Sequence, residues 1–115
     1  MMLELKRGDI VTMAEKGHYS SKPRPFLVMQ LEQFSTLESI TLLPLTGDIE
    51  PTLAFRVDIQ PSEQNKLAKT SQVMIDKILT VKRNSIGRYL GHIEEDVLSK
   101  VDERLATFLG LRLSS

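Results

Sequence analysis

Four successive apolar residues, Phe26-Leu27-Val28-Met29, predict a strand buried on both faces, because a strand with one wet face would alternate. Ser39 to Leu45 predicts the next strand, with Ile40, Leu42, Leu43 and Leu45 apolar. Pro44 has no N–H to give to a ladder and marks an edge or a bulge near the end of that strand. Thr46-Gly47-Asp48 then closes it as a turn. Phe55, Val57 and Ile59 alternate with Arg56 and Asp58, the pattern of a half-buried strand. Shorter strands are expected at Asp9 to Ala14, Ser71 to Ile75 and Ser85 to Ile93; Gly87 and Gly91 in the last suggest a bulge or bent corner. The period changes after Glu94: Val97, Leu98, Val101, Leu105, Phe108 and Leu109 fall on one helical stripe. Glu94, Glu95 and Asp96 favour the positive end of that helix, and Gly110 stands where a C-terminal cap belongs.

Between the first two strands, Glu15 to Pro25 is polar and rich in turn formers, with Pro23 expected in the loop and Pro25 at a strand's first position. Many short strands followed by one helix predict a mainly β fold, a strongly bent antiparallel sheet with the helix packed across it. A chain of 115 residues without repeats or linkers is expected to form one domain, 1–115.

Composition narrows the function. Fifteen Lys and Arg balance fifteen Asp and Glu, which argues against a broadly basic nucleic-acid binder; any attraction to RNA must come from a local patch. Lys16, Lys22 and Arg24 cluster early, and Lys77, Lys82, Arg83 and Arg88 later. The absence of cysteine excludes disulfides and thiolate metal sites and fits a cytoplasmic protein. No stretch is apolar enough to span a bilayer or to serve as a signal peptide. Phosphate-loop, dinucleotide, HExxH and nucleophile-elbow motifs are missing. His18 and His92 lie far apart without carboxylates at ligand spacing, so neither a metal nor another cofactor is expected.

Arg24, held between Pro23 and Pro25, has a restricted backbone. A guanidinium fixed in this way suits a phosphate, with which it can form two parallel hydrogen bonds; an arginine covering an apolar edge is the plainer alternative. Thr46 puts a hydroxyl beside Gly47, where backbone can approach a ligand, or it simply caps the turn.

Three segments together resemble the MazF/PemK-type toxin endoribonucleases of type II toxin–antitoxin systems: Lys6-Arg7-Gly8-Asp9-Ile10-Val11, Gly17-His18 leading to Arg24-Pro25-Phe26-Leu27-Val28, and Leu43-Pro44-Leu45-Thr46. The tail Leu98 to Leu111, with Val101-Asp102-Glu103 and Leu109-Gly110-Leu111, is similar to the family's closing helix. The resemblance covers the chain in order. It implies a compact SH3-like β-barrel with a C-terminal helix packed against it, a homodimer, metal-independent cleavage of single-stranded RNA, and a cognate antitoxin. The family's key arginine and threonine fall on Arg24 and Thr46, and its substrate-covering loop on Gly17 to Arg24. His18 is the candidate proton carrier, since an imidazole titrates near neutrality. Tyr19 is placed to stack on a base, and Ser20, Ser21 and Lys22 to meet sugar or phosphate. Lys69, Ser71 and Gln72 complete the implied RNA-binding set. The chain departs from the family at Tyr19-Ser20, where Glu-Gln is common, at Lys22 in place of a loop glycine, and at Lys69 and Ser71, where some members carry Arg and Asp. An auxiliary acidic group is thereby lost. Rival readings are a gyrase-poisoning toxin on a similar barrel, a non-catalytic SH3-like binding module, and a decayed toxin that still binds its antitoxin.

Overall fold

The computed structural model describes residues 4–13 and 23–112. Among the described residues seven strands form one curled antiparallel sheet: β1 (Asp9–Met13), β2 (Arg24–Val28), β3 (Ser39–Thr46), β4 (Val57–Ile59), β5 (Ser71–Val73), β6 (Leu79–Lys82) and β7 (Tyr89–His92). Their order is β4-β5-β3-β2-β1-β7, with β6 also paired to β3. The end strands β4 and β7 do not pair, so the barrel is a half-barrel, and the helix α1 (Glu95–Leu109) packs on one of its faces.

The apolar runs resolve into two cores, one on each face. Ile10, Leu27, Leu43, Leu45, Val57, Ile59 and Val73 face the helix and pack with its Leu98 and Val101. Val11, Met13, Phe26, Val28, Ile40 and Leu42 point the other way. Side chains alternate along a strand, so the unbroken apolar run of β2 feeds both cores, as its pattern requires.

Several boundaries differ from the sequence reading. The ladder begins at Arg24, with Pro25 second, opposite Thr12. Strand β6 was not foreseen, because Leu79-Thr80-Val81-Lys82 is short and only half-buried. Pro44 is at a break rather than an edge. Its carbonyl accepts from Met74 N–H at 2.9 Å, after which the neighbouring chain leaves the ladder through a 3-10 turn, Ile75–Lys77, and returns as β6. A proline that cannot donate suits that gap. Arg83–Ser85 is also 3-10, so the last strand is confined to Tyr89–His92, and its register with β1 shifts between Ile10 and Val11. Gly91 is required there, since a Cβ would fall 2.6 Å from the Gln64 carbonyl oxygen.

Helix α1 ends as its sequence predicts, with Gly110 left-handed at φ 71° and its N–H turned back to the helix carbonyls. At its start Glu94 does not cap its own helix with its carboxylate. The carboxylate instead accepts from Ser62 Oγ (2.6 Å) and Asn65 Nδ2 (3.1 Å), tying the 60–67 loop to the helix. The hydrogen bonds from Ser62 and Asn65 hold the Glu94 carboxyl below its ordinary pKa despite the opposing effect of burial. The stripe departs from expectation at its end: Phe108 and Leu109 are exposed, and Phe108 stacks on Phe55 with centroids 6.3 Å apart.

Candidate functional site

The Arg7-Gly8-Asp9 segment of the opening motif is a structural fastener. Arg7 pairs with Asp102 of α1 and donates to the Met29 carbonyl. Asp9 is buried; its carboxylate accepts from Lys6 N–H and meets His92 Nδ1 at 2.8 Å across the β1–β7 pair. His92 is therefore structural.

The polar side chains that share a site are set by register. Arg24 pairs with Met13, whose neighbour Val11 lies opposite Phe26, and all four face away from α1. The β2–β3 ladder ends with Phe26 opposite Pro44; its register, extrapolated two residues beyond that last pair, brings Arg24 toward Thr46. Thr46 pairs with Gln72 of β5, and Gln72 with Asp58 of β4. Directly paired residues point to the same face, so Thr46, Gln72 and Asp58 form a polar row over three strands, and Arg24 lies on that face of β2, two residues beyond the last β2–β3 pair. Neighbouring strands lie about 4.8 Å apart.

These side chains are held differently. Arg24 is exposed, with its backbone in the ladder and a proline on either side. Thr46 is 8% exposed, and its Oγ1 accepts from Asp48 N–H at 3.0 Å. That bond uses a lone pair and leaves the hydroxyl proton to donate. Gln72 is 3% exposed and makes three side-chain hydrogen bonds among the described residues. Its Nε2 donates to Asp58 Oδ1 (2.8 Å), while its Oε1 accepts from Glu50 N–H (3.0 Å) and Arg56 Nη1 (3.3 Å). The 48–56 segment is thus pinned over the row. Lys69 lies across Gly47, where a Cβ would come within 2.7 Å of its Nζ. This sets an ammonium beside the Thr46 turn.

Ser71 is not part of this arrangement. It shares its face with Val73 in the core beneath α1, is buried, and donates to the Lys69 carbonyl at 3.0 Å. Alternation in β5 turns it away when Gln72 faces the row. Gly17, His18, Tyr19, Ser20, Ser21 and Lys22 lie outside the described residues. Among the described residues no three His, Asp or Glu side chains gather as a metal site would require, and no helix is long and apolar enough to cross a membrane.

Sequence reasoning missed Asp58 and Arg56. Both sit on the polar side of the alternating Phe55–Ile59 pattern, which was a usable signal, but the register that carries Asp58 to Gln72 was not visible. Asp58 supplies a carboxylate to a row expected to have lost one. It stands two strands from Thr46, about 10 Å by strand spacing, where it orients Gln72 instead of reaching a nucleophile beside Arg24.

Comparison with known proteins gives a consistent picture. A family model described as PemK-like, MazF-like toxin of type II toxin–antitoxin system matches residues 6–109. Over 107 residues the chain is 36% identical to a probable endoribonuclease MazF of Mycolicibacterium smegmatis, covering 93% of this chain and 98% of that one. Two solved structures share the fold. An endoribonuclease in complex with its cognate antitoxin, from a mycobacterial species, has a TM-score of 0.78 at 24% identity over 98% of this chain and 100% of that one. A MazE–MazF structure from Deinococcus radiodurans has a TM-score of 0.76 at 19% identity, covering 96% and 99%.

Proposed function

The chain belongs to the PemK-like, MazF-like toxin family of type II toxin–antitoxin systems and is a MazF-type endoribonuclease toxin; on that premise we propose that it cuts single-stranded RNA, without a metal, at a phosphate held between Arg24 and Thr46. The observation that supports this reading is that Arg24, flanked by prolines, and Thr46, whose hydroxyl keeps its proton, lie on one face near the ends of the neighbouring strands β2 and β3.

RNA supplies the nucleophile. The 2′-oxygen attacks the adjacent phosphorus, a new O–P bond forms, and the bond to the 5′-oxygen breaks. Charge accumulates on the non-bridging oxygens, where Arg24 donates two hydrogen bonds and Thr46 one. Pre-aimed donors of this kind are worth about two to three powers of ten in rate each. His18 is assigned the proton that leaves the 2′-hydroxyl, and solvent water supplies the one gained by the 5′-oxygen. The products are a 2′,3′-cyclic phosphate and a 5′-hydroxyl. Tyr19 stacks on a base, while Gly17, Ser20, Ser21 and Lys22 cover the strand. Lys69 adds charge beside Thr46, and Gln72 presents a rigid edge.

A cognate antitoxin and a homodimer complete the reading, on the strength of family membership, with the cytoplasm as the site of action. Sedimentation should return twice the mass of the chain; a monomer at micromolar concentration would remove the dimer from the account.

Incubation with mixed single-stranded RNA in excess EDTA, followed by end mapping, tests the chemistry. Cutting should persist and leave cyclic-phosphate ends. Loss of all cleavage in chelator would refute the metal-free step. Arg24→Ala should cut at least about a hundredfold more slowly with an unchanged melting temperature.

A further inference from the structure

Beside the row, and separate from Arg24 and Thr46, an open cleft of about 360 Å³ runs along the edge strand β4. Its walls carry Arg56, Lys100 and Arg104 against a single carboxylate, Asp58, with Gln72 at the end nearest Thr46. In a chain with formal net charge +0, three cations around one cleft are a local excess that overall composition conceals. Lys100 and Arg104 sit one turn apart on α1 and so project from the same side of the helix. Arg104 is steered into place by its bond from Nη1 to the Ala54 carbonyl at 2.7 Å, which leaves its other N–H groups available to a ligand. Lys100 makes no hydrogen bond or ion pair among the described residues and is exposed. Arg56 gives Nη1 to Asp48 and Gln72, yet its Nε is buried with no acceptor among the described residues. A buried N–H without a partner is costly, but this one is closed to solvent, so what Arg56 offers the cleft is its charge.

We propose that this cleft is a phosphate subsite for the RNA strand, taking a phosphodiester that flanks the cut. The proposal rests on the ribonuclease reading for its ligand. Continuity favours RNA over an acidic peptide as occupant. Gln72 and Asp58 belong to the row and also line the cleft; β4 is the edge strand, so a strand seated on the row reaches the α1 wall by turning round that edge, about two strand spacings from Thr46. Asp58 fits the same picture. A carboxylate opposes a uniformly acidic peptide, whereas nucleic acid alternates its phosphates with bases and sugars that can donate to it.

The test is the salt dependence of binding, read by fluorescence anisotropy on the full chain with a random-sequence pool of 2′-O-methylated single strands, which cannot be cut. Each phosphate neutralised on a single strand contributes about 0.7 to the slope of log K against log salt. Lys100→Gln should lower the slope by about 0.7, and Lys100→Gln with Arg104→Gln by about 1.4. Lys100→Arg should keep it. Cleavage of a long substrate by the double variant should show a raised KM with kcat unchanged. Unchanged slopes in a protein that cuts RNA overturn the subsite and leave the ribonuclease reading intact. Lowered slopes in a protein that cuts nothing keep the subsite and remove the nuclease. Neither cutting nor a change of slope removes both. Wild-type slopes together with escape from antitoxin inhibition assign the cleft to the acidic peptide and overturn the proposal.

Discussion

Thr46 illustrates how much one hydroxyl can be asked to do. Its oxygen accepts from Asp48 N–H, which orients the group, and its proton remains for a phosphate. Thr46→Ser keeps both functions and should cut within about tenfold of the wild type. Thr46→Val loses both and should cut about a hundredfold or more slowly; equal rates for the two variants would show that the hydroxyl is only a turn cap. Glu94 gives a prediction about pH. Its carboxyl is held below its ordinary value first by Ser62 and then by Asn65. The folded state therefore gains stability that is present above the unfolded-state pKa and is lost as pH falls through the lower folded-state value. Ser62→Ala should raise the Glu94 titration toward the ordinary glutamate value and shrink that acid-side loss, as carboxyl NMR and melting curves against pH would report. An unmoved Glu94 titration would mean that the bond from Ser62 is not the cause.

At the scale of elements, legibility followed the range of the interactions that decide the structure. The helix could be read almost to the residue, because its stripe, acidic first turn and Gly110 are all local signals. The doubly buried β2 was legible for the same reason. The β5–β6 interruption was not, since it depends on what Pro44 faces across the sheet. Register was the main blind spot. A slip of one residue turns every side chain to the other face, and nothing in the local sequence said that Ser71 would face the core while Gln72 joined the row. Arg24 and Thr46 were singled out from chain context and resemblance, whereas the pairing of Asp58 with Gln72 needed the ladder. Two substitutions test the elements themselves. Gly91→Ala drives a Cβ into the backbone at Gln64 and Asn65 and should cost about 1–3 kcal/mol. Leu43→Ala opens the core under α1 and should cost about 2–5 kcal/mol. Denaturant midpoints check both, and a silent Gly91→Ala would show that the corner has room to relax.

The whole molecule divides its labour between the two faces of one sheet. One face packs against α1 and is fastened by Arg7–Asp102 and by the knot of Ser62, Asn65 and Glu94. The other carries the second core and, at one end of the sheet, Arg24 and the row from Thr46 to Asp58. The packed side gives the strand ends the rigidity that a pre-aimed pair of donors requires. The most direct test is a double-mutant cycle on the cleavage rate with Arg24→Ala, Thr46→Val and the two combined. If both donors grip one phosphate, each single variant should lose about two to three powers of ten, and the combined variant should lose clearly less than the product of the two. Losses that multiply in full, or either single variant cutting at the wild-type rate, would contradict a shared phosphate.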